Sequence, residues 1–165
     1  MLAELHTELI EYLNGKLPGV TVAAFTPDIR TTRSLSLPAC MVELATIDPF
    51  SDFGNRRDKS RVYLNFEARL LVDPNRANGW AELKEFAALA WWAIRDWIPQ
   101  TTGIGPASLK RAGEDVFKPG LDGFVVWLIE WEQEAFLDFS DDQVEPLLVR
   151  ITAADNMGNT TEVSK

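Results

Sequence analysis

One histidine, His6, and one cysteine, Cys40, are the chain's whole complement of imidazole and thiol. Catalysis through histidine needs a base held by a partner and set beside a nucleophile. His6 falls in the first turns of an amphipathic helix pattern, a setting for packing or surface contact. A zinc site needs three or four Cys or His ligands, and two exist in total. Cys40 sits in Pro-Ala-Cys-Met-Val, the pattern of a buried strand, and reads as a small core hydrophobe. Carboxylates are abundant, with Asp and Glu together numbering 25. Magnesium-assisted phosphodiester hydrolysis can be built on a Pro-Asp step followed by Glu-x-Lys on a neighbouring strand. Pro27-Asp28 is present, but Glu67-Ala68-Arg69 puts arginine in the place of lysine. A guanidinium does not give up its proton and replaces lysine poorly. Gly103-Ile104-Gly105-Pro106 lacks the Gly-Lys-Ser/Thr of a phosphate loop, and Pro106 removes an amide donor. The sequence therefore assigns no catalytic, cofactor or metal residue.

Charge and composition constrain the partners. The formal net charge is -9, which disfavours non-specific wrapping of nucleic acid by Lys and Arg. It is compatible with a negatively lined passage through which DNA slides without sticking. Hydrophobic residues make up 46% of 165 residues, enough for one domain with a real core. His6, Glu8 and Glu11 interrupt the first apolar stretch, so no secretory signal is expected. Apolar runs fall far short of a membrane span, and a soluble protein made inside the cell is expected.

The elements follow from periodicity. Leu2, Leu5, Leu9, Ile10 and Leu13 predict a helix over 3–14, stopped at Asn14-Gly15. A short strand is expected over 20–25, a polar loop over 26–36, and a central strand covered on both faces over 37–47. The strongest signal is Lys59 to Val72. There Val62, Leu64, Phe66, Ala68 and Leu70 alternate with Arg61, Tyr63, Asn65, Glu67 and Arg69. Its odd face is too charged for a second core layer. A helix from about 79 to 98 follows, with Trp80, Leu83, Phe86, Ala87, Ala90, Trp91, Ile94 and Trp97 or Ile98 as its core stripe. A short strand within 108–117 and a strong one over 123–136 complete the pattern. Trp80, Trp91, Trp127 and Trp131 belong to the core faces of these elements. The fold class is α+β: a mostly antiparallel β-sheet with two α-helices packed on one face. A single domain spans 1–139. An acidic and polar C-terminal extension covers 140–165, with a short strand at 147–151.

Two surfaces stand out. The loop 48–58 mixes Phe50, Phe53, Arg56 and Arg57 with acids, and aromatics with arginine are enriched where proteins meet proteins. Together with Lys59, Arg61 and the off-stripe Trp92 it forms the expected subunit or partner interface. Glu130, Glu132, Glu134, Asp138, Asp141 and Asp142 form an acidic solvent face or lumen.

In its order of elements the chain resembles the tail terminator proteins of lambda-like and Mu-like tailed bacteriophages. The resemblance rests on the opening helix LAELHTELIEYLNGKLPGV, the strand pair LPACMVELATI and RVYLNFEARLLVD, the helix WAELKEFAALAWWAIRDW and the late strand GFVVWLIEWEQEAF. It covers roughly residues 1–139 and is architectural. It implies a homo-oligomer, a hexameric ring that caps the tail tube, ends its polymerisation and docks to the head connector. The partners implied are the tail tube protein and a neck protein. DNA passes through without specific binding, and there is no enzymatic activity, no cofactor and no membrane. The implied location is the virion, after assembly in the host cytoplasm. A head-completion or neck connector subunit shares much of this layout, and a metal-dependent nuclease is the alternative of a different class.

Overall fold

Leu5, Leu9 and Leu13 recur every fourth residue, so a helix aligns them on one stripe. In the computed structural model, which describes residues 1–26, 36–50, 59–115, 121 and 123–138, helix α1 runs Leu2–Lys16 and buries all three. It does not stop at Asn14-Gly15. The chain reverses at Pro18-Gly19 instead, where Gly19 takes φ +78. Asn14 has another use. Its carboxamide donates to the Val22 carbonyl at 3.3 Å and accepts from the Val22 amide at 3.2 Å. A carboxamide carries the donor and acceptor of a peptide group, so Asn14 stands in for a further strand on the outer edge of β1, Thr21–Ala24.

The remaining elements are β2 (Ala39–Pro49), β3 (Lys59–Val72), α2 (Gly79–Asp96), β4 (Ser108–Glu114) and β5 (Val125–Asp138). The five strands form one sheet in the order β1-β2-β3-β5-β4. Only β1 against β2 is parallel; every other pair is antiparallel. Helix α1 packs on β1 and β2, α2 packs on β3, β4 and β5, and the helices touch each other. The fold is α+β, as expected.

The main core lies between the helices and the sheet. Val62, Leu64, Phe66, Ala68, Leu70 and Val72 of β3 are buried in it with Ile129, Trp131 and Ala135 of β5. Phe66 and Trp131 are register partners, and their rings stack at 5.4 Å and 12°. The buried stripe of α2 is Gly79, Leu83, Ala87, Ala90 and Ile94, joined by Ala93 and by Trp97 just beyond the helix. Trp80 departs from expectation and is 45% exposed. Gly79 takes the inward position at the helix start, where a Cβ would lie 3.2 Å from the Asp73 carbonyl oxygen. One residue along a helix turns about 100°, which carries the indole of Trp80 outward. Trp91 and Trp127 are partly buried against the core, and Ile98 is almost fully exposed beyond the helix end.

Two further expectations change. Strand β2 is buried on both faces only over Ala39–Val42. Strand β1 ends opposite Val42, so from there β2 is itself an edge among the described residues, and Ala45 to Pro49 are exposed. The odd face of β3 is not uniformly solvated. Leu71 joins Met41, Leu121 and Val126 in a second, smaller core, and Arg69 beside it is buried.

The connector after α2 also has structure. Ile104 bridges Ala135, the Gly105 amide donates to the Glu134 carbonyl at 2.7 Å, and the Phe136 amide donates to the Gly103 carbonyl at 2.9 Å. A Cβ at Gly103 would lie 3.3 Å from the Phe136 carbonyl oxygen, and one at Gly105 equally close to that of Glu134. These glycines let two backbones approach along the edge of β5.

Candidate functional site

Odd residues of β3 and even residues of β5 point away from the helices, so register decides what meets on that outer face. Glu43, Glu67 and Glu130 fall in one cross-strand row, Asn65 faces Glu132, Tyr63 faces Glu134, and Arg61 faces Phe136. Like charges directly opposite one another destabilise a sheet. The neighbouring cations resolve the conflict. Arg69, with its side chain only 4% exposed, donates to Glu43 and Glu67 and, at 3.0 Å, to Asp115. Its guanidinium carbon also lies 5.7 Å from the Phe25 ring centroid. Burial pulls the guanidinium pKa down, but attraction and hydrogen bonding to Glu67, with Asp115 and Glu43, outweigh it, and the net shift is upward.

The expected acidic patch is therefore a ladder of ion pairs. Glu130 faces Arg111 at 3.6 Å, Glu132 meets Lys110 at 2.6 Å, and Glu134 is gripped by Arg61. Lys110 and Arg111 are half-exposed or more, so their pairs contribute little to stability. Arg61 is held more specifically. Its Nε and Nη2 donate to the two oxygens of Glu134, the second at 2.7 Å. Its guanidinium carbon lies 3.6 Å from the Phe50 ring centroid and 5.8 Å from that of Phe136. Phe50 in turn contacts Tyr63 at 5.1 Å between ring centroids. Beside this cluster runs an open groove of about 540 Å³, lined by Tyr63, Ile104, Pro106, Glu132, Glu134 and Phe136 among others.

The structure brings Phe50 and Arg61 into contact. Lys59 and Asp138 are register partners at the adjoining ends of β3 and β5. Phe53, Arg56, Arg57, Asp141 and Asp142 lie outside the described residues, as do the strand expected at 147–151 and Asp28. Trp92 is not part of the cluster. It is 54% exposed on the solvent side of α2, across the sheet from Arg61. The sequence reading missed Tyr63 and Phe136. Alternation alone places Tyr63 on the face of Arg61, but only the β3–β5 register adds Phe136.

The groups set aside for chemistry are occupied otherwise. His6 Nε2 lies 3.1 Å from the Val42 carbonyl oxygen, a contact made with the proton on Nε2. Cys40 is buried, and desolvation pushes its thiol up to about 12, far from thiolate reactivity at neutral pH. Glu67, the would-be metal ligand, shares the Arg69 guanidinium with Glu43 and Asp115. Among the described residues no group of three or more His, Cys, Asp or Glu is placed to hold a metal ion.

The Arg61–Glu134 pair leads to a pH prediction. The hydrogen bond from Arg61 holds the Glu134 carboxyl below its usual 4.5; partial burial opposes this and the charge of Arg61 adds to it. A depressed carboxyl pKa contributes stability above the unfolded-state value and loses it as pH falls through the folded value. Glu134→Gln is expected to flatten the decline of the urea midpoint as pH is lowered below about 4.5. Identical acid slopes for the two proteins would remove the pair from the account.

No family model matches the chain, and no curated protein sequence matches it.

Proposed function

We propose that the chain is the subunit of a hexameric ring that caps a phage tail tube, ends its polymerisation and docks to the head connector. The observation that carries this reading is the face of the sheet on which, among the described residues, no helix packs. Both helices pack on the other side, and the 14-residue strands β3 and β5 run side by side along this one, paired over their whole length. A ring needs such a surface, which one subunit leaves open and assembly lines or covers. Its carboxylates are balanced by bound arginines and a lysine, which suits a wall that DNA slides past. The Phe50–Arg61–Phe136 cluster lies at the end of the sheet where the loop 51–58 joins β2 to β3. The role is structural, in the virion, with the tail tube protein and a neck protein as partners. Against the nuclease alternative stands the Arg69 guanidinium, which takes up the carboxylates a metal would need.

The test is purified protein imaged by negative stain and then added to growing tails. Rings with a central hole, and tubes that stop lengthening, are the expected results. Monomers, or rings that neither bind nor limit tubes, would overturn the terminator reading. A pair of substitutions sharpens it. Arg56→Glu with Arg57→Glu reverses two adjacent cations on an aromatic loop of a chain whose net charge is -9. The double variant is expected to keep its circular dichroism and lose ring assembly or tube docking. Full assembly and docking would show that the loop is a bystander.

A further inference from the structure

Among the described residues the sheet leaves three stretches of strand without a neighbour on one side: the outer edge of β4, β2 beyond Val42, and the outer edge of β1. An open edge offers unpaired N–H and C=O groups to any other strand, and charges, a proline or a bulge commonly keep one away. Strand β4 has exposed Lys110, Arg111 and Glu114 and a bulge between Leu109 and Arg111. The free edge of β2 has exposed Asp48 and Pro49 and a bulge between Leu44 and Thr46. Strand β1 has none of these. It reads Thr21-Val22-Ala23-Ala24, uncharged, and its register with β2 is continuous.

Another group does the work there. The Thr21 and Phe25 amides donate to the Pro38 and Val42 carbonyls on the β2 side, at 2.9 and 2.8 Å. Backbone groups alternate in direction along a strand, so Val22 and Ala24 present theirs outward. Asn14 takes both outward groups of Val22, donating to its carbonyl and accepting from its amide. A second copy of this chain would need the same groups. Two β1 strands set antiparallel about a two-fold axis at Ala23 bring Val22 opposite the partner's Ala24, twice. Each such pair exchanges two N–H···O bonds. Asn14 holds Val22 in both copies, so neither pair forms until the carboxamide leaves. We infer that Asn14 is a plug that keeps this chain from joining a second copy edge to edge through β1. The plug acts at the edge of the sheet, whereas the ring reading rests on its outer face, so the two stand or fall separately.

The test is sedimentation of the full chain over a range of concentrations, for the wild type and three variants. Asn14→Ala keeps a good helix former and removes the plug. It is expected to add a species of twice the wild-type particle's mass. The dissociation constant for this pairing should fall at least about tenfold, because pairing no longer displaces two hydrogen bonds in each copy. Ala24→Pro separates this from sticking by a misfolded chain. It removes an outward N–H of β1 and none that bonds to β2, a change an edge strand tolerates. Asn14→Ala with Ala24→Pro is expected to return to the wild-type mass, and Ala24→Pro alone to leave that mass unchanged. Equal masses for wild type and Asn14→Ala at every concentration overturn the inference. Association that persists in the double variant also overturns it, since another surface is then responsible. So does a wild-type particle that falls apart on Ala24→Pro, because its β1 edge was then never closed.

Discussion

Phe66→Ala is expected to lower the unfolding free energy by about 3–5 kcal/mol, the range for truncating a buried phenylalanine. Phe66 is 1% exposed at the middle of β3, between β2 and β5 and beneath the helices. The cost has separable parts: the transfer free energy of the ring, the void it leaves, and the stacking on Trp131, itself worth about 0.5–1.5 kcal/mol. Collapse of the void is hindered from several sides. Trp131 is 1% exposed and Leu64 and Ala68 are fully buried on the same face, so none has slack to move in. The measurement is urea unfolding followed by tryptophan fluorescence and circular dichroism. A loss below about 1 kcal/mol would mean that the core closes over the gap, against the dense packing such interiors show. An unchanged slope with a shifted midpoint is expected, because neither end state changes its compactness.

Period-two alternation made β3 readable to the residue, because one face is buried along most of its length and ten residues of alternation leave no second register. The helices were readable for the same reason at period 3.6. What stayed hidden depends on partners distant in sequence. Arg69 looked like one more solvated charge on the odd face. It is buried because Glu43 arrives from β2 and Asp115 from beyond β4, and no local pattern encodes either approach. Trp80 fits the helical stripe by spacing, yet a glycine one position earlier takes the close approach and turns it out. Gly103 and Gly105 resembled a broken phosphate loop, and their purpose appears only beside the backbone of β5. For the candidate site, Phe50 and Arg61 were legible from residue type. The bidentate grip of Glu134 and the second aromatic ring, Phe136, required the register.

Arg69→Met is expected to cost about 3 kcal/mol, although it exchanges a charged side chain for an apolar one of comparable length. Removing one partner of a buried ionic cluster is expensive because the charges left behind lose their compensation. Here three carboxylates are left: Glu43, Glu67 and Asp115 converge on the guanidinium, and Glu43 and Glu67 also oppose each other directly across β2 and β3. The lower end of the usual 3–5 kcal/mol applies because their side chains keep 21%, 23% and 14% of their exposure, so water screens part of the repulsion. The design of the test separates charge from packing. Glu43→Gln and Glu67→Gln in the Arg69→Met background should each regain stability, since each removes a stranded charge, whereas in the wild-type background each should cost stability. That change of sign is the signature of an ionic cluster and is read by a double-mutant cycle in urea. Added salt should narrow the gap between Arg69→Met and wild type for the same reason. If the glutamine changes have the same sign in both backgrounds, Arg69 acts through packing alone. If they reverse, this one guanidinium is what allows a row of glutamates to lie across the open face of the sheet. The proposed ring surface then depends on a residue that never reaches it.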